Sequence, residues 1–375
     1  MMLKNAHFMA RLCAMAVVAA VFPACERPPV KIGVAMVLTG VNSEIGVTGR
    51  NGAVLAADRI NAAGGIRGRR IELLVRDDKG DADLAETVDA ELAAEGVVAI
   101  IGHMASASGL RAVPAASSRA IPLISPTISS TAFSGKDDYF FRVIGENALQ
   151  GAALAAYAYE DLGLRRIAGA YELTNRAYTA TVYDSFKEEF ERRGGKVAPA
   201  ETFVSTVGFD YGPVLQKMRS FAPDGLLSVA GPADNAALCS LLERAASDLP
   251  VFAGMWSMTE DLIQLGGRSA DRMVVAGSVD PASAEGPYRD FRAAYRKRYG
   301  AEPTFSSVHA YEALGILAAA LERSRAAGGE ALKAAILDLG EIEGLQGRFS
   351  FDRYGDADRP YMVFRVTDGR FARVR

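Results

Sequence analysis

Short hydroxyl side chains follow two apolar runs of the sequence, where they could bind a small acid. In IIGHMASASG (100–109) the apolar run ends at Gly102, and Ser106 lies among small residues. In IPLISPTISS (121–130), Thr127 and Ser129 follow the apolar residues in the same way. If both runs are strands of one parallel sheet, they end at the same edge, where helix N-termini present free N–H groups. A carboxylate bound there would gain backbone hydrogen bonds and a favourable helix dipole. The alternative is that these hydroxyls only cap helices.

The residues that catalysis or metal binding would require form no recognisable pattern. His7, His103 and His309 are the three histidines, and neither they nor the cysteines show the spacing of metal ligands. The sequence contains no GxSxG, P-loop or HExxH motif. His103 follows a predicted strand, and neither a recognisable nucleophile nor an orienting carboxylate is expected beside it, so we expect a structural histidine. We therefore expect a protein that is not an enzyme and holds no metal or cofactor.

The elements that must position these residues alternate between strand and helix. From VKIGVAMVL (30–38) onward, apolar runs of strand length are followed by segments with helical spacing. This alternation predicts parallel sheets with helices on both faces. The rhythm occurs twice, and no low-complexity linker separates the two series. The pattern predicts an α/β protein with two doubly wound lobes and a chain that crosses between them more than once.

Composition and the N-terminal residues indicate an exported protein without a nucleic-acid partner. The net charge is −3, and the scattered Lys and Arg residues form no basic runs. Lys4 and Arg11 precede the apolar run LCAMAVVAAVF. This run suits a signal peptide over residues 1–25, because a transmembrane helix needs roughly 20 apolar residues. Ala24 before Cys25 resembles a lipobox, so we expect lipidation of Cys25; an ordinary cleaved signal peptide is the alternative.

Longer motifs resemble the leucine/isoleucine/valine-binding proteins, which are type I periplasmic solute-binding proteins of branched-chain amino-acid ABC importers. ADRINAAGGIRGRRIELLVRDD (57–78), followed by IIGH and a serine, is typical of that family. The resemblance continues through YFFRV, RRIAGAYE and GLQGRFSFDRYGD, and it covers residues 30–375. It implies two parallel-sheet lobes joined by a hinge of three crossovers. Lobe 1 would comprise residues 30–146 and about 280–360, and lobe 2 residues 147–279 and about 361–375.

The resemblance also implies a ligand site. Ser106, with the backbone of Ala105, would hold the ligand's carboxylate. The turn after the fourth strand would contribute hydroxyls and a backbone carbonyl, which correspond here to Thr127, Ile128 and Ser129. Tyr178 in TNRAYTA would close over the ligand from lobe 2.

Two positions depart from the family pattern. Trp256 stands where amino-acid binders present a glutamate to the ligand's ammonium group, and Ile45 stands where relatives carry an aromatic residue. Trp256 could hold a cation by a cation–π contact, or it could stack on an aromatic or aliphatic acid. Glu172, Glu260 and Asp261 are the nearby acids that could replace the missing charge, but we expect them to lie at a helix N-terminus and a solvated edge.

These features predict the solute-binding component of an ABC importer, located in the periplasm or cell envelope. Its ligand would be a small carboxylate or an amino acid, bound between the lobes by clamshell closure. Its partners would be permease subunits, and its contact with the membrane would be a lipid anchor on Cys25. The alternative is a ligand-binding sensor subunit that signals to a separate partner.

Overall fold

The computed structural model describes residues 27–40 and 42–375, so the predicted signal peptide and Cys25 lie outside the described residues. The strands are β1 (Val30–Met36), β2 (Ile71–Asp77), β3 (Ile100–Gly102), β4 (Leu123–Ser125), β5 (Phe140–Arg142), β6 (Arg166–Glu172), β7 (Lys196–Val197), β8 (Glu201–Phe203), β9 (Gly225–Val229), β10 (Val251–Ala253), β11 (Met273–Gly277), β12 (Glu341–Gly344), β13 (Gly347–Ser350), β14 (Met362–Thr367) and β15 (Arg370–Arg373). The α-helices are α1 (Ser43–Ala62), α2 (Ala82–Ala94), α3 (Ser106–Ser118), α4 (Ala148–Ala156), α5 (Arg176–Arg192), α6 (Gly212–Ser220), α7 (Pro232–Arg244), α8 (Glu260–Gly266), α9 (Gly286–Tyr299), α10 (Phe305–Arg323) and α11 (Gly329–Leu337).

A five-stranded parallel sheet has the order β2-β1-β3-β4-β5. Strands β3 and β4 are buried along their whole length, and β1 almost so, which explains their continuous apolar sequences. Val34 of β1 pairs with Val75 of β2 and with Ile101 of β3. Because β3 and β4 are neighbours in this order, the loops that follow them leave the sheet side by side.

A second sheet has the order β15-β14-β11-β10-β9-β6-β7, and β8 also pairs with β6. The strands from β6 to β11 are parallel, whereas β14 runs antiparallel to β11 and β15 runs antiparallel to β14. Pro199 lies between β7 and β8. Because proline has no N–H to donate to a neighbouring strand, it interrupts the pairing with β6 between these two short strands.

Each sheet carries its own helices, and we call the two resulting bodies lobe 1 and lobe 2. Lobe 1 is the five-stranded sheet with α1–α3 and α9–α11, and lobe 2 is the second sheet with α4–α8. In lobe 1, α1 packs closely against α10, where a Cβ atom at Gly52 would lie 2.1 Å from the Ser307 carbonyl oxygen. Only glycine allows the two backbones to approach so closely.

The chain passes between the lobes three times, after β5, after β11 and before β14. A buried group of side chains joins these passages. Arg359 of the third passage donates two hydrogen bonds to Glu312 of α10, at 2.7 and 3.0 Å, and one to the Val143 carbonyl of the first passage at 3.1 Å. His309 of α10 hydrogen-bonds Ser278 of the second passage at 2.7 Å. We call His309, Glu312 and Arg359 the hinge cluster.

Residues 27–40 and 42–375 contain neither a membrane-spanning helix nor a metal-binding cluster. None of the helices there has the length and apolar character needed to cross a membrane. Nor do three or more His, Cys, Asp or Glu side chains of this region come together in a way that could hold a metal ion.

Candidate ligand-binding site

A cavity of about 310 Å³ lies between the two lobes, and both contribute to its wall. Lobe 1 contributes residues from the loops after β1, β2, β3 and β4 and the first residue of α10, Phe305. Lobe 2 contributes residues from the loops after β6, β8 and β10 and from the first turn of α5. The cavity therefore lies at the carboxyl ends of strands in both sheets, which is where ligands bind in open α/β folds.

Hydrogen bonds hold the two hydroxyl-rich loops of lobe 1 against each other. Thr127 Oγ1 donates to the Met104 carbonyl at 2.7 Å, and Ser125 Oγ donates to the His103 carbonyl at 2.8 Å. Ser106 is the first residue of α3, and its hydroxyl accepts a long hydrogen bond of 3.4 Å from the backbone N–H of Ser129. These contacts hold the N-terminus of α3 at the cavity wall.

Beneath these loops, His103 is fully buried between two carboxylates. Its Nδ1 contacts Asp78, and its Nε2 lies 3.1 Å from an oxygen of Asp89. Burial disfavours the imidazolium, but the hydrogen bonds and charges of Asp78 and Asp89 outweigh burial and raise the pKa of His103 to about 10. Both ring nitrogens are engaged away from the cavity, as expected for a structural histidine. The expectation that no carboxylate lies beside the ring is wrong, because the fold brings Asp78 and Asp89 to it from separate elements.

In lobe 2, an aromatic pair forms the opposite wall. The Tyr178 hydroxyl donates to Gln150 Oε1 at 2.7 Å, and the same oxygen accepts from the backbone N–H of Met255 at 2.9 Å. The rings of Tyr178 and Trp256 meet edge to face with centroids 6.2 Å apart. A Cβ at position 254 would lie 2.3 Å from the Tyr178 hydroxyl oxygen, which is why a glycine precedes this turn. The network fixes both rings at the cavity.

Asn175 connects the lobes at the cavity wall. Glu172, which is fully buried at the end of β6, accepts hydrogen bonds from the backbone N–H groups of Thr174 at 2.6 Å and Asn175 at 3.1 Å. The loop held in this way presents the Asn175 side chain to lobe 1, where its Oδ1 accepts from the backbone N–H of Ala107 at 3.1 Å. A side chain of lobe 2 therefore caps helix α3 of lobe 1.

A second contact between the lobes involves Glu44, near the start of α1. Its carboxyl faces Thr259 and Asp261 at the start of α8. Burial is the main cause that raises the pKa of Glu44 to about 7, and the charge of Asp261 adds to the increase. The Glu44 carboxyl of lobe 1 is therefore partly buried at the interface with lobe 2.

Five of the seven residues predicted to bind the ligand line the cavity: Ala105, Ser106, Thr127, Tyr178 and Trp256. The other two lie behind the wall. Ile128 packs in an apolar cluster with Phe133 and Phe140, and the Ser129 carbonyl accepts from the backbone N–H of Asn147 at 2.8 Å. Burial in this apolar cluster removes the Ile128 side chain from water, which explains why it lies in the core and not at the cavity. Ile45, predicted to replace an aromatic residue, also lines the cavity.

Several lining residues were not predicted from the sequence. Asn175, Lys79, Asn42, Met255 and Phe305 all contribute to the wall. The position of Asn175 before a helix is a recognisable capping signal, yet its side chain caps the helix of the other lobe and not its own. Phe305 lies far along the chain, and no local pattern links it to the cavity.

Comparison with known proteins identifies the family of this chain. A model described as periplasmic binding protein matches residues 29–370. The chain belongs to this family. Similar solved structures include a leucine-binding protein, LivK, of Thermotoga maritima, with 26% identity, coverage of 92% of this chain and 98% of that chain, and a TM-score of 0.86. LivJ of Streptococcus pneumoniae in complex with isoleucine has 25% identity, coverage of 92% and 97%, and a TM-score of 0.84. Leu/Ile/Val-binding protein homolog 3 of Brucella melitensis is 22% identical over 93% of this chain and 94% of its own length.

These likenesses confirm two of the predictions. The chain is a relative of the leucine/isoleucine/valine-binding proteins, and its fold is that of type I periplasmic binding proteins, with two α/β lobes and a hinge of three crossovers. The family is a solute-binding family and not an enzyme family. The roles of the individual cavity residues stay predictions.

Proposed function

We propose that this periplasmic binding protein is the substrate-binding component of an ABC importer, and that it binds a small carboxylate in the cavity between its lobes. The candidate ligands are amino acids, aromatic acids and aliphatic acids. The observation that carries the proposal is the position of the Ser106 loop. It lies at the cavity wall of lobe 1, opposite the aromatic pair Tyr178 and Trp256 of lobe 2.

The N-terminus of α3 is the proposed anchor for the carboxylate. The helix has 13 residues, and its first two, Ser106 and Ala107, line the cavity together with Ala105 before them. N–H groups and the positive end of the helix dipole favour an anion at this place. The Ser106 hydroxyl can donate a further hydrogen bond to a carboxylate oxygen.

Clamshell closure is the proposed mechanism. The contact of Asn175 with the N-terminus of α3 joins the two lobes at the cavity, so it forms only when the lobes are together. A ligand that touches both walls binds the closed form better than an open one and shifts the population toward closure. The closed form would then dock on the permease subunits.

The relatives support a transport role. LivK is named as a leucine-binding protein, and LivJ is a branched-chain amino acid transporter substrate-binding protein solved with isoleucine. By likeness to them, we place this protein in the periplasm or cell envelope, exported by its N-terminal signal peptide. The lipid anchor on Cys25 is part of the same proposal.

Isothermal titration calorimetry on residues 26–375 tests the proposed function. The panel comprises leucine, isoleucine, valine, aromatic acids and short aliphatic acids, and we expect one-to-one binding of at least one of them. Ser106→Ala should weaken that binding about 10- to 100-fold, because a hydrogen bond to a charged group contributes roughly 1.5–3 kcal/mol.

Ser108→Ala is the matched control for this experiment. Ser108 lies in the same helix turn, but it is fully buried and its hydroxyl has no hydrogen-bond partner among the described residues. This variant should bind as the unaltered protein does. If no carboxylate of the panel binds, or if Ser106→Ala binds unchanged, the proposed site is wrong.

A further inference from the structure

We propose that the ligand is an apolar or aromatic monocarboxylate without an amino group. This inference rests on the proposed function and narrows its ligand class. It follows from the charges of the side chains in and around the cavity.

The cavity wall offers no carboxylate to an ammonium group. Among the described residues that line it, none is Asp or Glu, and the one full charge of an acid–base side chain is that of Lys79. The remaining polar side chains of the wall are amides and hydroxyls, such as those of Asn42, Asn175 and Thr127. Removing an ammonium from water without a carboxylate partner is costly, so a zwitterion is disfavoured here.

The acids closest to the lobe 2 wall are already engaged. The Glu172 carboxylate accepts from the backbone N–H groups of Thr174 and Asn175 and is fully buried. Asp234 accepts from Ser205 Oγ at 2.6 Å and from the backbone N–H of Gly231 at 3.2 Å. The Ser205 hydroxyl, which lines the cavity, is thus tied to a carboxylate behind the wall. Neither acid is placed to receive a ligand's ammonium.

Of the three acids near the lobe 1 wall, Asp77 and Asp78 are engaged as well. Asp77 accepts from Thr39 Oγ1 at 2.6 Å and from the backbone N–H of Lys79 at 2.9 Å. Asp78 holds the buried ring of His103. Glu44 faces Thr259 and Asp261 across the interface between the lobes, and one of its carboxyl oxygens has no hydrogen-bond partner among the described residues. Of these three acids Glu44 has the unpaired oxygen, but Glu44 does not line the cavity, so none of the three presents a carboxylate to the ligand.

The apolar part of the wall complements a hydrocarbon or ring. Val37, Ile45, Met104, Met255 and Phe305 line the cavity together with Trp256. Their burial against an apolar ligand body would supply binding free energy without any charge. Trp256 could also attract a cation through its ring face, and the experiment below separates that contribution from apolar contact.

Matched ligand pairs that differ only in the α-amino group test the inference. The pairs are 4-methylpentanoate with leucine and 3-phenylpropanoate with phenylalanine, titrated into residues 26–375 by calorimetry. We expect the acid of at least one pair to bind at least tenfold more tightly than its amino acid. If both amino acids bind as tightly as their partners or more so, the inference is overturned while the proposed function stands. If none of the four compounds binds, the inference is also overturned, whereas the proposed function fails only if no carboxylate of the wider panel binds.

A pair of variants at Trp256 tests the missing charge directly. Trp256→Glu places a carboxylate in the cavity wall, and Trp256→Gln removes the indole in the same way without adding a charge. The glutamate variant should bind leucine at least tenfold more tightly than the glutamine variant and should bind 4-methylpentanoate more weakly. Equal leucine binding by the two folded variants would contradict the inference. Circular dichroism establishes that both fold, and the wild-type pairs decide the question if either does not.

Discussion

At the scale of single residues, His103 connects the elements that carry the cavity-lining loops of lobe 1. Its ring connects Asp78, which follows β2, with Asp89 of α2, and its carbonyl accepts from Ser125 at the end of β4. Both ring nitrogens and the backbone carbonyl are therefore used for structure. The loop that continues to Ser106 begins from this fixed residue.

Replacement of His103 should destabilise the fold. His103→Gln removes a buried cation from between two carboxylates, and we expect the free energy of unfolding to fall by about 3–5 kcal/mol. Urea denaturation at pH 7 measures the change. Adding Asp89→Asn should cost less in the His103→Gln background than in the wild type, because the two side chains interact. A loss of less than about 1 kcal/mol for His103→Gln would contradict the assigned role.

The raised pKa of His103 gives this prediction a pH dependence. The pKa is about 10 in the folded protein, whereas an unperturbed histidine titrates at 6.5. The stabilisation is therefore complete below pH 6.5 and is lost as the pH rises toward 10. The difference in stability between the wild type and His103→Gln should shrink from pH 6.5 to pH 9.5, and a constant difference would argue against a charged ring.

At the scale of elements, the N-termini of α1 and α8 meet across the interface between the lobes. Glu44 of α1 lies against Thr259 and Asp261, and its pKa is raised to about 7 there. If closure forms this contact, the closed protein takes up a proton below that pH, while an open protein with an exposed Glu44 does not. Acid therefore favours closure and, with it, ligand binding.

Ligand binding should consequently tighten about tenfold between pH 8 and pH 6, as expected for uptake of one proton near pH 7. Glu44→Gln imitates the protonated carboxyl, so this variant should bind tightly at both pH values. Calorimetry in buffers with different ionisation enthalpies measures the proton uptake directly. The prediction is wrong if the variant keeps the pH dependence of the wild type.

The sequence predicts the loops that carry the site, but it does not predict every side chain that lines the cavity. The apolar runs ending at Gly102 and Ser125 are local patterns, and they place Ala105, Ser106 and Thr127 at the cavity. The directions of the Ile128 and Ser129 side chains depend on how the turn packs on the rest of lobe 1, and no local pattern encodes this. The partner of Asn175 lies on the other lobe, so the capping signal indicates a helix start without indicating which helix is capped.

At the scale of the whole molecule, the hinge cluster joins the three passages between the lobes. Arg359 belongs to the third passage, contacts the first through the Val143 carbonyl and is held by Glu312 of α10. His309 extends the cluster to Ser278 of the second passage. Movement of one lobe relative to the other must therefore bend the chain around a buried ion pair. The alternation of strand and helix predicts that the chain crosses between the lobes, but it does not predict that the hinge cluster connects the three crossovers.

Glu312→Gln should weaken the hinge, because it leaves the Arg359 guanidinium buried without a counter-charge. We expect the free energy of unfolding to fall by about 3–5 kcal/mol and the distribution of lobe orientations in small-angle X-ray scattering to broaden. Burial opposes ionisation of Glu312, but Arg359 and His309 outweigh it and hold the pKa of Glu312 below its usual range. The stabilisation is therefore present above pH 4.5 and is lost only in stronger acid.

Two controls separate the charge from the packing at this cluster. Arg359→Lys keeps the positive charge but loses the paired geometry, so its loss of stability should be smaller than that of Glu312→Gln. The stability difference between Glu312→Gln and the wild type should stay constant from pH 7 to pH 5. Unchanged stability and unchanged scattering in Glu312→Gln would show that the cluster does not control the hinge.

Trp256 is the single tryptophan of the chain, and it stands in the cavity wall beside Tyr178. The indole emission of this protein therefore comes from one place, the surface that a ligand would cover. A ligand that excludes water from that surface should change the wavelength and intensity of this emission. The intrinsic fluorescence of the unlabelled protein therefore reports on the cavity. The rates of ligand association and dissociation can be measured from it by stopped-flow fluorescence.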